Sequence, residues 1–191
     1  MPQETLEKHE YKNFGREVVH NHPYFIELQK NLECFVSDLV SEPIESAYNF
    51  LSLYNNLGKC DVHMDAPLAK WTLDLCIDQS TEWPIYFTKT QDWPVDFNFE
   101  GDYWGAGIKF MNEFEKVVLH PGEAAIFSGS SQWHYRDAIP EGKNQFCHLL
   151  FFHFIPKGTR KLSNPRTWNE RYQIPSNIEF CPKSYRHFDG S

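Results

Sequence analysis

Residues 71–78, WTLDLCID, alternate without a break. Trp71, Leu73, Leu75 and Ile77 fall on one face of an extended strand, and Thr72, Asp74, Cys76 and Asp78 fall on the other. A period of two excludes a helix here, and the same short-strand pattern recurs along the chain. AYNFLSLYN (47–55), PIYFTK (84–89), GIKFM (107–111), KVVLH (116–120), EAAIFS (123–128), QWHYRDAI (132–139) and QFCHLLFFHFI (145–155) all read as strands. Turn-forming clusters separate them: HPGE at 120–123, SGSS at 128–131 and PEGKN at 140–144. About eight short strands at this spacing predict a mainly β chain folded as a two-sheet jelly roll or barrel.

One segment departs from this period. In YFIELQKNLECFVSDLV (24–40), Phe25, Leu28, Leu32, Phe35 and Leu39 recur at steps of three and four, which predicts an amphipathic helix. The SEP that follows closes it, because the residue before Pro43 avoids helical geometry. This helix is expected to buttress the sheets. Residues 1–22 read as an irregular or partly helical arm, and the tail from Pro156 as irregular. The long stretch 90–106, with Trp93, Phe97, Tyr103 and Trp104, is expected to be a loop, either a lid or a surface loop packed by its own side chains. A chain of 191 residues suits a single domain, 1–191, with its core at about 47–155.

Charge and composition narrow the partners. A net charge of −8 argues against nucleic acid, and no run of 18 apolar residues is present to span a membrane. The five cysteines form no CxxC pair and fit free thiols in a reducing compartment. The polar start is unlike a secretory signal, so a cytoplasmic location is expected. No GxGxxG follows a first strand, and SGSS is not the G-x-S-x-G of a serine hydrolase. The expected partner is a small-molecule or peptide substrate, and the pattern leaves the oligomeric state open.

The chemistry starts at KCDVHMDAP (59–67). In an extended segment residues i and i+2 share a face, so His63 and Asp65 converge as an imidazole nitrogen and a carboxylate oxygen. Two histidines and one carboxylate leave open positions on a metal and suit Fe(II) in oxygen-activating enzymes. His120, His134, His148, His153 and His187 are candidates for the third arm. Position favours His134, at the start of a strand after a glycine-bearing turn. His148 and His153 lie in an apolar strand, where a structural histidine is the ordinary outcome.

LYNNLGKCDVHMDAP, LHPGEAAIFSGSSQWHYRD and the final FFHF together resemble the Fe(II)/2-oxoglutarate-dependent dioxygenase superfamily, in particular its prolyl-hydroxylase-like branch. The matching residues are His63, Asp65, Pro121, Gly122, Glu123, Phe127, Gly129 and His134, and the likeness covers roughly residues 47–155. It implies a double-stranded β-helix with a metal triad of His63, Asp65 and His134. It also implies 2-oxoglutarate and O2 as cosubstrates, and C–H hydroxylation with release of succinate and carbon dioxide.

The far carboxylate of 2-oxoglutarate would need a buried cation. Lys143 lies at the offset from His134 that the family uses, and Arg136 lies two residues beyond His134 on the same face. Arg136 is preferred, because a guanidinium grips a carboxylate with two parallel hydrogen bonds. By the same resemblance Tyr54 would bond 2-oxoglutarate, with Asn56 as a weaker helper. Two other functions compete with this one. The first is a cupin-like metalloenzyme that does not use 2-oxoglutarate, although the GxxxxHxH pattern is absent. The second is a non-catalytic jelly-roll binding module.

Overall fold

The computed structural model describes residues 6–90 and 113–160. The expected lid beyond Thr90, the strand expected at 107–111, His187 and the tail beyond Arg160 lie outside these residues.

Among the described residues nine strands form two sheets. They are β1 (Arg16–His20), β2 (Ile44–Tyr54), β3 (Cys60–His63), β4 (Trp71–Gln79), β5 (Ile85–Phe87), β6 (Glu115–Val117), β7 (Ala124–Phe127), β8 (His134–Arg136) and β9 (Cys147–Pro156). The five-stranded sheet runs β1-β2-β9-β4-β7 and the four-stranded sheet β3-β8-β5-β6. Every neighbouring pair in both is antiparallel. Along the chain the strands pass back and forth between the two sheets, with only β1–β2 and β5–β6 consecutive in the same sheet, so residues far apart in sequence face one another across the interior. Phe87 of β5 and Phe127 of β7, for example, meet with ring centroids 4.6 Å apart and planes tilted by 50°.

Two helices precede the core: α1 (Tyr11–Phe14) and α2 (Pro23–Val40). Pro23 opens α2, where its missing N–H costs nothing, and His22 caps it by accepting from the Tyr24 amide. Phe25, Leu28, Leu32 and Val36 of α2 pack on the outer face of the large sheet, against Leu51, Leu73, Leu150, Phe152 and Phe154. The expected stripe drifts. Phe35 and Leu39 are exposed, because the face that meets the sheet passes through Val36 and Val40 instead. Gln29 fills the middle of this interface and bonds the carbonyls of Tyr48 and His153 and the Asn49 amide.

Two other expectations are corrected. Residues 16–20 form a strand, not an irregular arm: REVVH pairs along the free edge of β2, from Arg16 opposite Tyr54 to His20 opposite Phe50. Five residues are too few to show a period, and only the neighbouring edge makes them extended. Asn56 does not continue the strand face of Tyr54, since β2 ends at Tyr54 and Asn56 sits exposed in the following turn.

The polar face of β4 is the inward one. Thr72, Asp74 and Cys76 are all fully buried, whereas Ile77, on the apolar face, is half exposed. Polar groups buried in this way need partners, and those partners make up the site.

Candidate metal centre

His63 ends β3 and His134 begins β8, and the two are paired opposite each other in the small sheet. Their rings lie 4.1 Å apart. Asp65 follows β3, and its amide donates to the Gly129 carbonyl at 2.8 Å, which turns its side chain toward both rings. One carboxylate oxygen, Oδ1, lies 3.5 Å from Nε2 of His63 and 3.5 Å from Nε2 of His134. The ligand atoms of the three residues all fall within 4.8 Å of one another.

The tautomers follow from the backbone. Nδ1 of His63 bonds the Asp61 carbonyl at 2.8 Å, and Nδ1 of His134 bonds the Gln132 carbonyl at 2.9 Å. A carbonyl only accepts, so each Nδ1 carries the proton and each Nε2 is left to face the shared point. Orienting a histidine ligand through its second nitrogen is the usual support of a metal site. Burial resists ionisation of Asp65, but the neighbouring His134 and His63 outweigh it and hold the carboxyl well below its usual range. Burial also works against a charged His63, yet the Cys60 sulfur and Asp65 lift its pKa to about 10. Two imidazoles and one anionic oxygen fit an iron site.

Behind the triad, the other carboxylate oxygen, Oδ2 of Asp65, accepts from the Thr72 hydroxyl at 3.0 Å. Thr72 in turn meets Nδ1 of His153 at 3.0 Å. His153 is stacked on Tyr48 at 4.2 Å, and burial lowers its pKa to about 4, so it stays neutral. Gly129 leaves room for the carboxylate by having no side chain. A Cβ there would stand 2.3 Å from Asp65 Oδ2 and 2.6 Å from Thr72 Oγ1.

Arg136 lies on β8, on the same face as His134. Its guanidinium is buried, donates to Asp74 Oδ2 at 2.7 Å and to the Trp83 carbonyl, and rests over the Trp83 ring. Tyr54 is buried against that same ring, at 4.8 Å. A second arginine converges on Tyr54. Arg16 of β1 donates to the Tyr54 hydroxyl at 2.7 Å and to Ser52 at 3.2 Å, and is paired with Glu10. Lys143 is exposed in the turn between β8 and β9. The structure therefore gathers His63, Asp65 and His134 at one point and places Arg136 and Tyr54 inside, while Lys143 and Asn56 face solvent.

The sequence reading gave Arg16, Thr72 and Asp74 no role at the site, and His153, a candidate third arm whose apolar strand favoured a structural role, lies behind the triad. The inward polar face of β4 was the only available signal, and it pointed to Thr72 and Asp74 alone.

The fold and site define a two-sheet antiparallel β protein with an interior two-histidine, one-carboxylate centre. No family model matches the sequence, and no curated protein matches it. Solved structures do match by fold. The non-heme alpha-ketoglutarate-dependent epimerase SnoN of nogalamycin biosynthesis superposes with a TM-score of 0.55 at 14% identity, covering 78% of this chain and 68% of that one. The non-heme alpha-ketoglutarate-dependent carbocyclase SnoK from the same biosynthesis gives 0.52 at 13%, covering 78% and 70%. HygX from Streptomyces hygroscopicus, with nickel and 2-oxoglutarate bound, gives 0.53 at 11%, covering 76% and 72%. At these identities the likeness is one of fold.

Proposed function

We propose that this chain is an Fe(II)- and 2-oxoglutarate-dependent oxygenase that hydroxylates an unactivated C–H bond of a small-molecule or peptide substrate. The observation that carries the proposal is the convergence of two Nε2 atoms, each set by an Nδ1–H···O=C bond, on one oxygen of Asp65. The sheet orders β2-β9-β4-β7 and β3-β8-β5-β6 support reading the fold as a double-stranded β-helix, a jelly roll with its site between the sheets. The fold neighbours SnoN and SnoK are named as alpha-ketoglutarate-dependent enzymes, which supports the same cosubstrate here. The prolyl-hydroxylase-like branch rests on the sequence motifs alone.

His63, Asp65 and His134 would hold Fe(II). Iron held there with 2-oxoglutarate would supply activation of O2, one oxygen atom ending in the C–OH product and the other in succinate as carbon dioxide is released. Arg136 would take the far carboxylate. Asp74 and the Trp83 carbonyl use two of the five donors on its guanidinium and leave the rest for a ligand. Burial favours Arg136 over Lys143, since an exposed lysine would bind a carboxylate against competing water. Tyr54 would line the same recess, with Arg16 orienting its hydroxyl. The free cysteines among the described residues support a cytoplasmic site of action as part of this reading.

The test is anaerobic addition of Fe(II) and 2-oxoglutarate to the purified protein, with His63→Ala as control. A weak visible charge-transfer band that requires His63 is the expected result. Iron binding without such a band would favour the cupin-like alternative, and no iron binding would favour a binding module.

A further inference from the structure

We infer that Thr72 and His153 form a fixed-polarity hydrogen-bond relay that holds Asp65 as a one-oxygen metal ligand. This inference rests on the metal-site reading above and goes beyond it.

The polarity comes from proton counting. Thr72 has a single hydroxyl proton and two neighbours, Asp65 Oδ2 and His153 Nδ1, each at 3.0 Å. Asp65 is a carboxylate and can only accept, and a bond to an anion is the stronger of the two. The Thr72 proton therefore goes to Asp65. His153 must then donate from Nδ1 to the Thr72 oxygen, so its Nε2 carries a lone pair. That Nε2 is buried and without a hydrogen-bond partner among the described residues. Tyr48, Phe50 and Phe151 stack around the ring, at 4.2, 5.4 and 6.3 Å. The Gln29 side chain, reaching in from α2, grips the His153 carbonyl at 2.7 Å.

The consequence falls on Asp65. The bond from Thr72 holds Oδ2 away from the two imidazoles, in the space that the missing side chain of Gly129 leaves. Oδ1 alone faces them. One-oxygen ligation keeps a metal position open that a two-oxygen carboxylate would fill. Thr72 and His153 are thus positioning residues, which act through Asp65 and do not touch the metal.

The experiment uses Co(II) as the probe, with calorimetry for affinity and visible absorption for coordination geometry. Thr72→Val keeps the shape and removes the hydroxyl. It is expected to weaken Co(II) binding about 10- to 100-fold, the range found for outer-shell partners, and to change the absorption. Thr72→Ser restores the hydroxyl and is expected to restore both. Should the valine variant fold poorly, His153→Phe keeps the ring stack, removes the Nδ1 donor and should shift both readouts in the same direction. Wild-type affinity and spectrum in Thr72→Val would overturn the relay. So would a serine variant as impaired as the valine one, since that would make the role one of packing. A wild-type chain that binds no Co(II) would overturn the metal-site reading, and the relay with it.

Discussion

Arg136 and Asp74 meet across the interior, Nη2 to Oδ2 at 2.7 Å, from strands of opposite sheets. Both are nearly sealed from solvent, with side-chain exposures of 4% and 0%. Asp74 Oδ1 has no partner among the described residues, and burial pushes its carboxyl pKa up even against the pull of Arg136. Breaking such a pair strands a charge. Asp74→Asn, which keeps the size and removes the anion, should cost about 3–5 kcal/mol in urea denaturation. A change within 0.5 kcal/mol, about that of an ordinary surface substitution, would show that Arg136 is not held by this pair.

The same arginine is expected to decide cosubstrate affinity. Arg136→Ala should weaken 2-oxoglutarate binding at least tenfold by calorimetry on the metal-loaded protein, since bonds between ionised groups contribute about 1.5–3 kcal/mol. Lys143→Ala should leave it unchanged. The opposite pattern would move the carboxylate anchor to Lys143.

Metal binding should strengthen with pH. In the metal-free protein His63 has its pKa raised to about 10, so a metal at Nε2 must displace a proton throughout the neutral range. For one proton released, affinity rises about tenfold per pH unit. Co(II) titrations at pH 6, 7 and 8 measure this slope. A flat profile would remove His63 from the ligand set. The apo protein shows the reverse linkage: the stability that charged His63 contributes is full below pH 6.5 and is lost as pH rises toward 10.

His153 gives a second pH signature, of opposite origin. Its pKa falls from 6.5 to about 4 on folding, so between those values the unfolded chain binds more protons than the folded one. Stability contributed by this group therefore rises with pH across that window, by about 3 kcal/mol in full. Subtracting the denaturation profile of His153→Phe from that of the wild type isolates the effect. A difference that does not change between pH 4 and 6.5 would mean that His153 is not buried as a neutral ring.

Gly129→Ala probes the close contact directly. The new methyl would stand 2.3 Å from Asp65 Oδ2 and 2.6 Å from the Ala69 carbonyl. A contact that short forces movement, at a cost of about 1–3 kcal/mol for overpacking. Lower thermal stability together with weaker Co(II) binding is the expected pair of results. Retention of both would show that the segment around 129 relaxes without moving the carboxylate.

The sequence carried the strands well where the period was long enough to see. WTLDLCID and QFCHLLFFHFI became β4 and β9, and the 24–40 periodicity became α2. It failed for Arg16–His20, where a strand exists only because the edge of β2 offers it partners. It also misplaced Phe35 and Leu39, because one residue of helical drift decides which side chains meet the sheet.

Local order points to the His63–Asp65 pair, since two residues on one extended face lie together, but β3 ends at His63 and the bond from the Asp65 amide to Gly129 sets where the carboxylate faces. Local order also supplies the two kinds of periodicity and the turns between them. Tertiary structure decides which histidine joins that pair, because β3 and β8 become neighbours only when the small sheet forms. It likewise couples Arg136 to Asp74, and Thr72 to His153, residues that stand 62 and 81 positions apart. Hydrogen bonds and charges act over a few ångströms of space, and the assignment of strands to two facing sheets sets those distances independently of separation along the chain.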